Sequence, residues 1–268
     1  MNGRREGPAR ALLWAFALAA VSDLVALAAG ADTVHTVVKP LLMPLLAAHA
    51  AARGGPRLLV GALLCGWAGD TLLLFEADPA FLAGMAAFAV GHVCYLVLFG
   101  RLVPFARLVP FKRPAISEPE PEPEPESEPE RGLEVAVEPE SEPNRAARAR
   151  AVWLPVAYGV VLIGTVTLLW PDLPEELRGP VAAYSLLLTA MAYGAGRLGL
   201  AAGIGGALFL LSDTLIATGV AEWPQLPLPD LWIMGTYLAA QYLLTRGVLD
   251  AHGRRCPAAT SGWATATP

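Results

Sequence analysis

Charge is scarce in this chain. Of its 268 residues only 16% are Asp, Glu, Lys or Arg, against 55% hydrophobic, and mean hydropathy is +0.49. That balance excludes an ordinary water-soluble domain. Cysteine is almost absent too. Cys65 and Cys94 fall within apolar segments and Cys256 near the C-terminus, so no disulfide framework is implied and the three read as small packing residues. Histidine is as sparse, with four in the chain, and neither His35 nor His92 has a second histidine or a cysteine at ligand spacing, so no metal or other cofactor is expected. Strict apolar–polar alternation is missing as well, which excludes a transmembrane β-barrel. The first apolar run has no small-residue cleavage site after it and another run follows at once, which argues against a cleavable signal peptide.

What the chain does have is apolar runs of about the twenty residues needed to cross a bilayer as helix. Eight are legible, at about 11–30, 34–52, 57–75, 80–100, 151–170, 180–198, 201–220 and 231–250. With the N-terminus placed in the cytoplasm, 17 of the 19 Lys and Arg fall in cytoplasmic segments. Arg178 alone lies outside, and Lys39 lies within a span. The opposite loops carry Asp32, Glu76, Asp78, Asp172, Glu175, Glu176, Glu222 and Asp230. The positive-inside rule then predicts an all-α integral membrane protein of eight spans with both termini cytoplasmic. The expected organisation is a cytoplasmic tail over 1–10, a four-helix half over 11–113, a linker over 114–144, a second, related four-helix half over 145–250, and a flexible tail over 251–268. The linker alternates Glu and Pro from Glu118 to Glu130, a composition that cannot pack a core and favours a disordered, extended spacer.

Against this apolar background two aspartates stand out. Asp70 lies in Gly69-Asp70-Thr71-Leu72 and Asp213 in Ser212-Asp213-Thr214-Leu215, after Gly61-Ala62-Leu63 and Gly206-Ala207-Leu208 respectively. A carboxylate at membrane depth costs about 2.5–3.5 kcal/mol even on insertion scales, so its repetition in one setting points to a functional polar site shared by two halves. Counted from the outer ends of their spans, Asp23, Lys39, Asp70, Asp213 and Tyr237 lie at one depth, roughly 8–12 Å in, with His92 and Gln241 slightly deeper. Phe88, His92, Tyr95 and Phe99 follow one helical stripe, as do Tyr237 with Gln241 and His35 with Lys39. Pro40 and Pro44 are expected to loosen the second helix and free carbonyls for a polar cavity.

Each of these residues also has a structural use. Lys39 could neutralise an aspartate, His92 could be a satisfied core histidine, and Tyr95, Tyr237 and Gln241 could join helices. Asp23, next to Ser22, has no repeated counterpart. Three aspartates face one certain cation, so at least one carboxyl should keep its proton near neutral pH. A neutral acid beside a carboxylate suits general acid–base catalysis, but it suits a proton-coupled transporter of small molecules or lipids equally well. A lipid-binding protein without enzymatic activity is a third reading.

The motifs themselves carry a resemblance. Lys39-Pro40-Leu41, Gly69-Asp70 before a leucine run, Gly91-His92 with Tyr95 and Phe99, Gly206-Ala207 with Phe209 and Ser212-Asp213, and Tyr237 with Gln241 together resemble the YhhN family of membrane proteins, which includes the mammalian lysoplasmalogenases. The resemblance spans all eight apolar runs. It implies an intramembrane hydrolase that cleaves the vinyl ether of lysoplasmalogen-type lysolipids to a fatty aldehyde and a glycerophospho-base. It implicates Asp70 and Asp213 as catalytic, and Lys39, His92, Tyr95, Ser212, Tyr237, Gln241 and Asp23 as their support. The expected partners are a lysophospholipid or other lipid substrate and membrane lipids, with no nucleic acid, and the expected location is a bacterial plasma membrane. The Glu/Pro linker is foreign to the pattern and leaves the apolar spans untouched.

Overall fold

A computed structural model describes residues 3–75, 77–103 and 142–255. These residues form eight helices and no strand: α1 (Gly3–Ala29), α2 (Asp32–Ala52), α3 (Arg57–Leu72), α4 (Asp78–Leu102), α5 (Glu142–Leu169), α6 (Glu175–Gly196), α7 (Leu200–Val220) and α8 (Pro229–Arg255). By length and composition, four segments could cross a membrane: Gly7–Ala29, Asp32–Ala52, Asp78–Leu102 and Leu200–Val220. Helix α5 starts at Glu142 and so takes in the last residues assigned to the linker, while α8 runs through Arg255 into the expected tail. The rest of the linker, Glu76, Cys256 and the tail beyond Arg255 lie outside the described residues.

The helices pack largely in chain order, α1 on α2, α2 on α3 and α3 on α4, then α5 on α6, α6 on α7 and α7 on α8. Helix α4 against α6, and α8 against α1 through α4, join the two sets. Missing side chains allow the closest approaches. A Cβ on Gly205 would lie 2.9 Å from the Leu244 nitrogen, and one on Gly247 would lie 2.6 Å from Ala202 Cβ, so α7 and α8 meet backbone to backbone. The contact fixes the height of α7, and hence of Asp213, against α8.

Apolar surface faces outward. Trp14 is 70% exposed, Leu200 81% and Trp153 68%, while the fully buried interior mixes Leu42, Leu46, Leu63, Met191 and Leu244 with His92, Tyr95 and Gln241. That inversion suits a bundle whose solvent is hydrocarbon. Helix α2 does not loosen at its prolines; it is continuous from Asp32 to Ala52 through Pro40 and Pro44. A proline removes only its own donor, and packing on both α1 and α3 holds the remaining turns in register.

Candidate active site

Asp70 sits near the end of α3, 4% exposed. Its Oδ2 accepts from the Tyr237 hydroxyl of α8 at 2.9 Å. Tyr237 oxygen accepts from Gln241 Nε2 at 3.2 Å, and Gln241 Oε1 accepts from the Tyr95 hydroxyl of α4 at 2.8 Å. Every donor in this buried chain points toward Asp70, which is thereby set as an acceptor. Tyr237 and Gln241 are i, i+4 on α8, so the helical repeat alone stacks them.

Asp213, on α7, belongs to a second chain. Its Oδ2 accepts from the Tyr184 hydroxyl of α6, and the Tyr184 oxygen lies 3.0 Å from His92 Nε2 of α4. With one hydroxyl hydrogen available, a Tyr184 that donates to Asp213 requires Nε2–H of His92 as donor; the opposite tautomer runs the chain the other way. Unlike Asp70, Asp213 is only part-buried and lines a cavity of about 80 Å³. The walls come from the same end of the bundle: Leu73 after α3, Phe81, Met85 and Phe88 of α4, Val161, Leu162 and Thr165 of α5, Val181, Tyr184, Ser185 and Leu188 of α6, and Leu210, Ile216, Ala217 and Val220 of α7. Thr189 of α6 and Thr214 of α7 complete a wall that is mostly apolar, with hydroxyls from Thr165, Tyr184, Ser185, Thr189 and Thr214 beside Asp213.

Aromatic rings separate the two chains. Phe209 meets Tyr237 at 5.4 Å and His92 at 4.9 Å between centroids, both near-perpendicular, and Phe88 meets Tyr237 at 5.9 Å. The two carboxyls nonetheless stay within electrostatic reach of each other.

The remaining sequence candidates divide. Lys39 acts through space on both Asp70 and Asp23, but the structure forms no ion pair within 4.0 Å between Lys39 and any of the three aspartates. Asp23 is wholly buried and bonds His35 Nδ1 at 2.9 Å across α1 and α2, apart from both chains; its Oδ2 has no partner among the described residues. Ser212 is turned away from the carboxyls and donates to the Ile233 carbonyl of α8 at 3.0 Å, so it joins helices and does not support Asp213 directly. The cavity departs from the one expected. Of the seven residues expected to line one cavity, Lys39, Asp70, His92, Tyr95, Asp213, Tyr237 and Gln241, only Asp213 reaches it. Tyr184 was missed by the sequence reading. Its signal was available, since Tyr184 precedes the buried Leu188, Met191 and Ala195 at i+4, i+7 and i+11. A second cavity, of about 250 Å³ between α1, α2 and α8, opens at the other end of the bundle and contains none of the three aspartates. No group of three or more metal-ligating side chains occurs among the described residues.

A bundle with apolar skin and carboxyls inside defines a multi-pass membrane protein, and comparison with known proteins sharpens that class. The YhhN family model matches residues 34–116 and 142–248, so the chain belongs to the YhhN family. The chain is 33% identical over 196 residues to human lysoplasmalogenase TMEM86B, covering 73% of this chain and 65% of that protein. It is 31% identical over 217 residues to the rat protein of the same name, covering 80% and 72%. The pig protein is 33% identical over 207 residues, covering 77% and 70%. The chain thus spans about two thirds of the human relative's length. No solved structure matches it significantly.

Proposed function

We propose that this protein is an eight-span intramembrane hydrolase that cleaves the vinyl ether bond of lysoplasmalogen-type lysolipids, with both termini cytoplasmic, in a bacterial plasma membrane. The observation that carries the reading is one titratable carboxyl, Asp213, opening on an apolar cavity with a second, Asp70, sealed behind it. The names of the curated relatives point to the same chemistry.

Vinyl ethers hydrolyse by protonation of the β-carbon. The resulting oxocarbenium ion is captured by water, and the hemiacetal collapses to aldehyde and alcohol. Carbon is a poor base, so the acid must be dry and well placed, and an anion nearby must stabilise the cation. Asp213 faces the cavity and is the acid. Tyr184 occupies its Oδ2, and no further hydrogen bond among the described residues engages the other oxygen, which is left to deliver the proton. The water that captures the cation gives up a proton as it adds, which restores the Asp213 carboxyl, while the His92 tautomer sets the direction of the Tyr184 hydroxyl against it. Asp70 does not touch the cavity. It is a positioning group whose charge, fixed by three aligned donors, offsets the developing cation across the Phe88–Phe209 wall. Two carboxyls in different environments dividing acid and charge-stabilising roles is the logic of glycoside hydrolysis, applied by analogy.

The test is direct. Full-length protein purified into lipid nanodiscs and given a 1-alkenyl lysophospholipid should release fatty aldehyde and glycerophospho-base in equal amounts. No aldehyde, with an aspartate-dependent proton flux in liposomes instead, would replace this reading with a transporter.

A further inference from the structure

We propose that Arg178 binds the phosphate of the lysolipid headgroup at the mouth of the Asp213 cavity, an assignment that rests on the lysolipid reading above. Arg178 lies in the first turns of α6. Arg178, Val181, Ser185 and Leu188 fall at i, i+3, i+7 and i+10, one face of the helix, and the last three line the cavity. The arginine therefore continues the cavity's own stripe by one turn toward the end of the bundle.

The ligand extends the same way. Tyr184, which holds Asp213, is six positions further along α6 than Arg178, or about 9 Å at the helical rise. In an alkenyl lysophospholipid five bonds separate the ether oxygen from phosphorus, about 6 Å extended if three backbone bonds span ~3.6 Å. A lipid whose vinyl ether lies against Asp213 and whose headgroup runs toward this end thus brings its phosphate about two thirds of the way to the level of the Arg178 backbone, and the phosphate oxygens and the flexible arginine stem span the rest.

The guanidinium also has capacity. Its Nε donates to the Leu173 carbonyl at 3.2 Å and its Nη2 to the Pro171 carbonyl at 3.4 Å, which ties the α5–α6 loop to the start of α6. Nη1 stands 3.7 Å from the Glu175 carboxylate, a contact too long for a hydrogen bond and with its acid 87% exposed. Of five N–H donors, then, two make hydrogen bonds, and an arginine fork matches a phosphate in bidentate fashion. Nothing else at this end competes. The loops and first turns here carry Asp32, Asp78, Asp172, Glu175, Glu176, Glu222 and Asp230 but no other lysine or arginine. A phosphate arriving among those carboxylates has one cation to meet.

The experiment compares two pairs of lipids on the full-length protein in nanodiscs. One pair is cleavable, 1-alkenyl-glycerophosphoethanolamine and 1-alkenylglycerol; the other is its saturated 1-alkyl counterpart, read as binding through tryptophan fluorescence. Arg178→Gln should raise KM for the phospholipid about tenfold with kcat unchanged, weaken binding of the alkyl phospholipid equally, and leave both glycerols unaffected. Arg178→Lys should recover part of the loss. Equal effects on phosphorylated and unphosphorylated lipids, or a wild-type protein that binds both alike, would overturn the assignment. Absence of cleavage with phosphate-selective, Arg178-dependent binding intact would instead overturn the hydrolase reading and leave the phosphate site standing.

Discussion

Asp70 and Asp213 share a sequence setting and a tyrosine partner, yet the fold treats them oppositely. Asp70 is enclosed at the end of three aligned donors, 4% exposed, while Asp213 takes a hydrogen bond from Tyr184 and opens on a cavity. Each receives a side chain from another helix in a related way. Asp70 on α3 takes Tyr237 from α8 and the charge of Lys39 from α2, and Asp213 on α7 takes Tyr184 from α6, with His92 of α4 behind it. In both, the preceding helix and the last helix of the other set contribute. That crossed pattern gives the two aspartates equivalent partners and different surroundings, one enclosed and the other turned toward the cavity.

The comparison breaks most simply at the carboxyls. Asp213→Asn keeps shape and the bond from Tyr184 but removes the transferable proton, so aldehyde release should fall by about 10²–10⁴ in a protein that still folds. Asp70→Asn should cost less, about 10², because what is lost is a charge aimed at the transition state, and the fall should appear in kcat with KM unchanged. Single-turnover rates for both variants decide the point. Equal losses would mean that the two aspartates share the proton and that their different burial has no catalytic meaning.

Their tyrosines sharpen the contrast. Tyr237→Phe leaves buried Asp70 without its donor and Gln241 without its acceptor, and should destabilise the fold by about 1–3 kcal/mol. Tyr184→Phe leaves buried His92 without its Nε2 partner but Asp213 on the edge of a cavity, so it should destabilise less than Tyr237→Phe while turnover drops about tenfold, at the low end of loss for a proton-transfer group. Thermal unfolding in detergent beside turnover measures both. A Tyr184→Phe protein as destabilised as Tyr237→Phe would show that the cavity is not open to solvent at Asp213.

How far the sequence reached follows from what apolar runs record. They mark where a helix can meet lipid, so α2, α4 and α7 lie within about two residues of the runs at 34–52, 80–100 and 201–220. They do not mark where hydrogen bonding stops, which is why α3 ends at Leu72 rather than near residue 75. Helical spacing correctly grouped Tyr237 with Gln241 and placed His92 and Tyr95 on one buried face. It could not tell which of two equivalent aspartates would be sealed, because that depends on Phe88 and Phe209 meeting across α4 and α7, at 6.4 Å. Tyr184 escaped for a related reason. A tyrosine in a long apolar helix looks like packing until its hydroxyl is seen to span from α6 to both α7 and α4.

Asp23 offers the smallest and most discriminating effect. It was placed at the same depth as the pair, and depth alone would give it the same role. In the fold it bonds His35 on α1 and α2 and has no hydrogen bond to either chain. Its link to the site is charge alone, directly on Asp70 and through Lys39, whose charge reaches both aspartates without contact within 4.0 Å. Asp23→Asn preserves the volume and an acceptor for His35, so its effect must travel as charge, directly to Asp70 and by way of Lys39, at a range where neighbouring dipoles weaken it. Turnover should change by no more than about threefold, and Asp23→Asn combined with Asp70→Asn should be no slower than Asp70→Asn alone, because the only charge it modulates is then gone. A loss for Asp23→Asn as large as that for Asp70→Asn, additive in the double variant, would make Asp23 an independent member of the site and place the catalytic charge on α1 as well as α3.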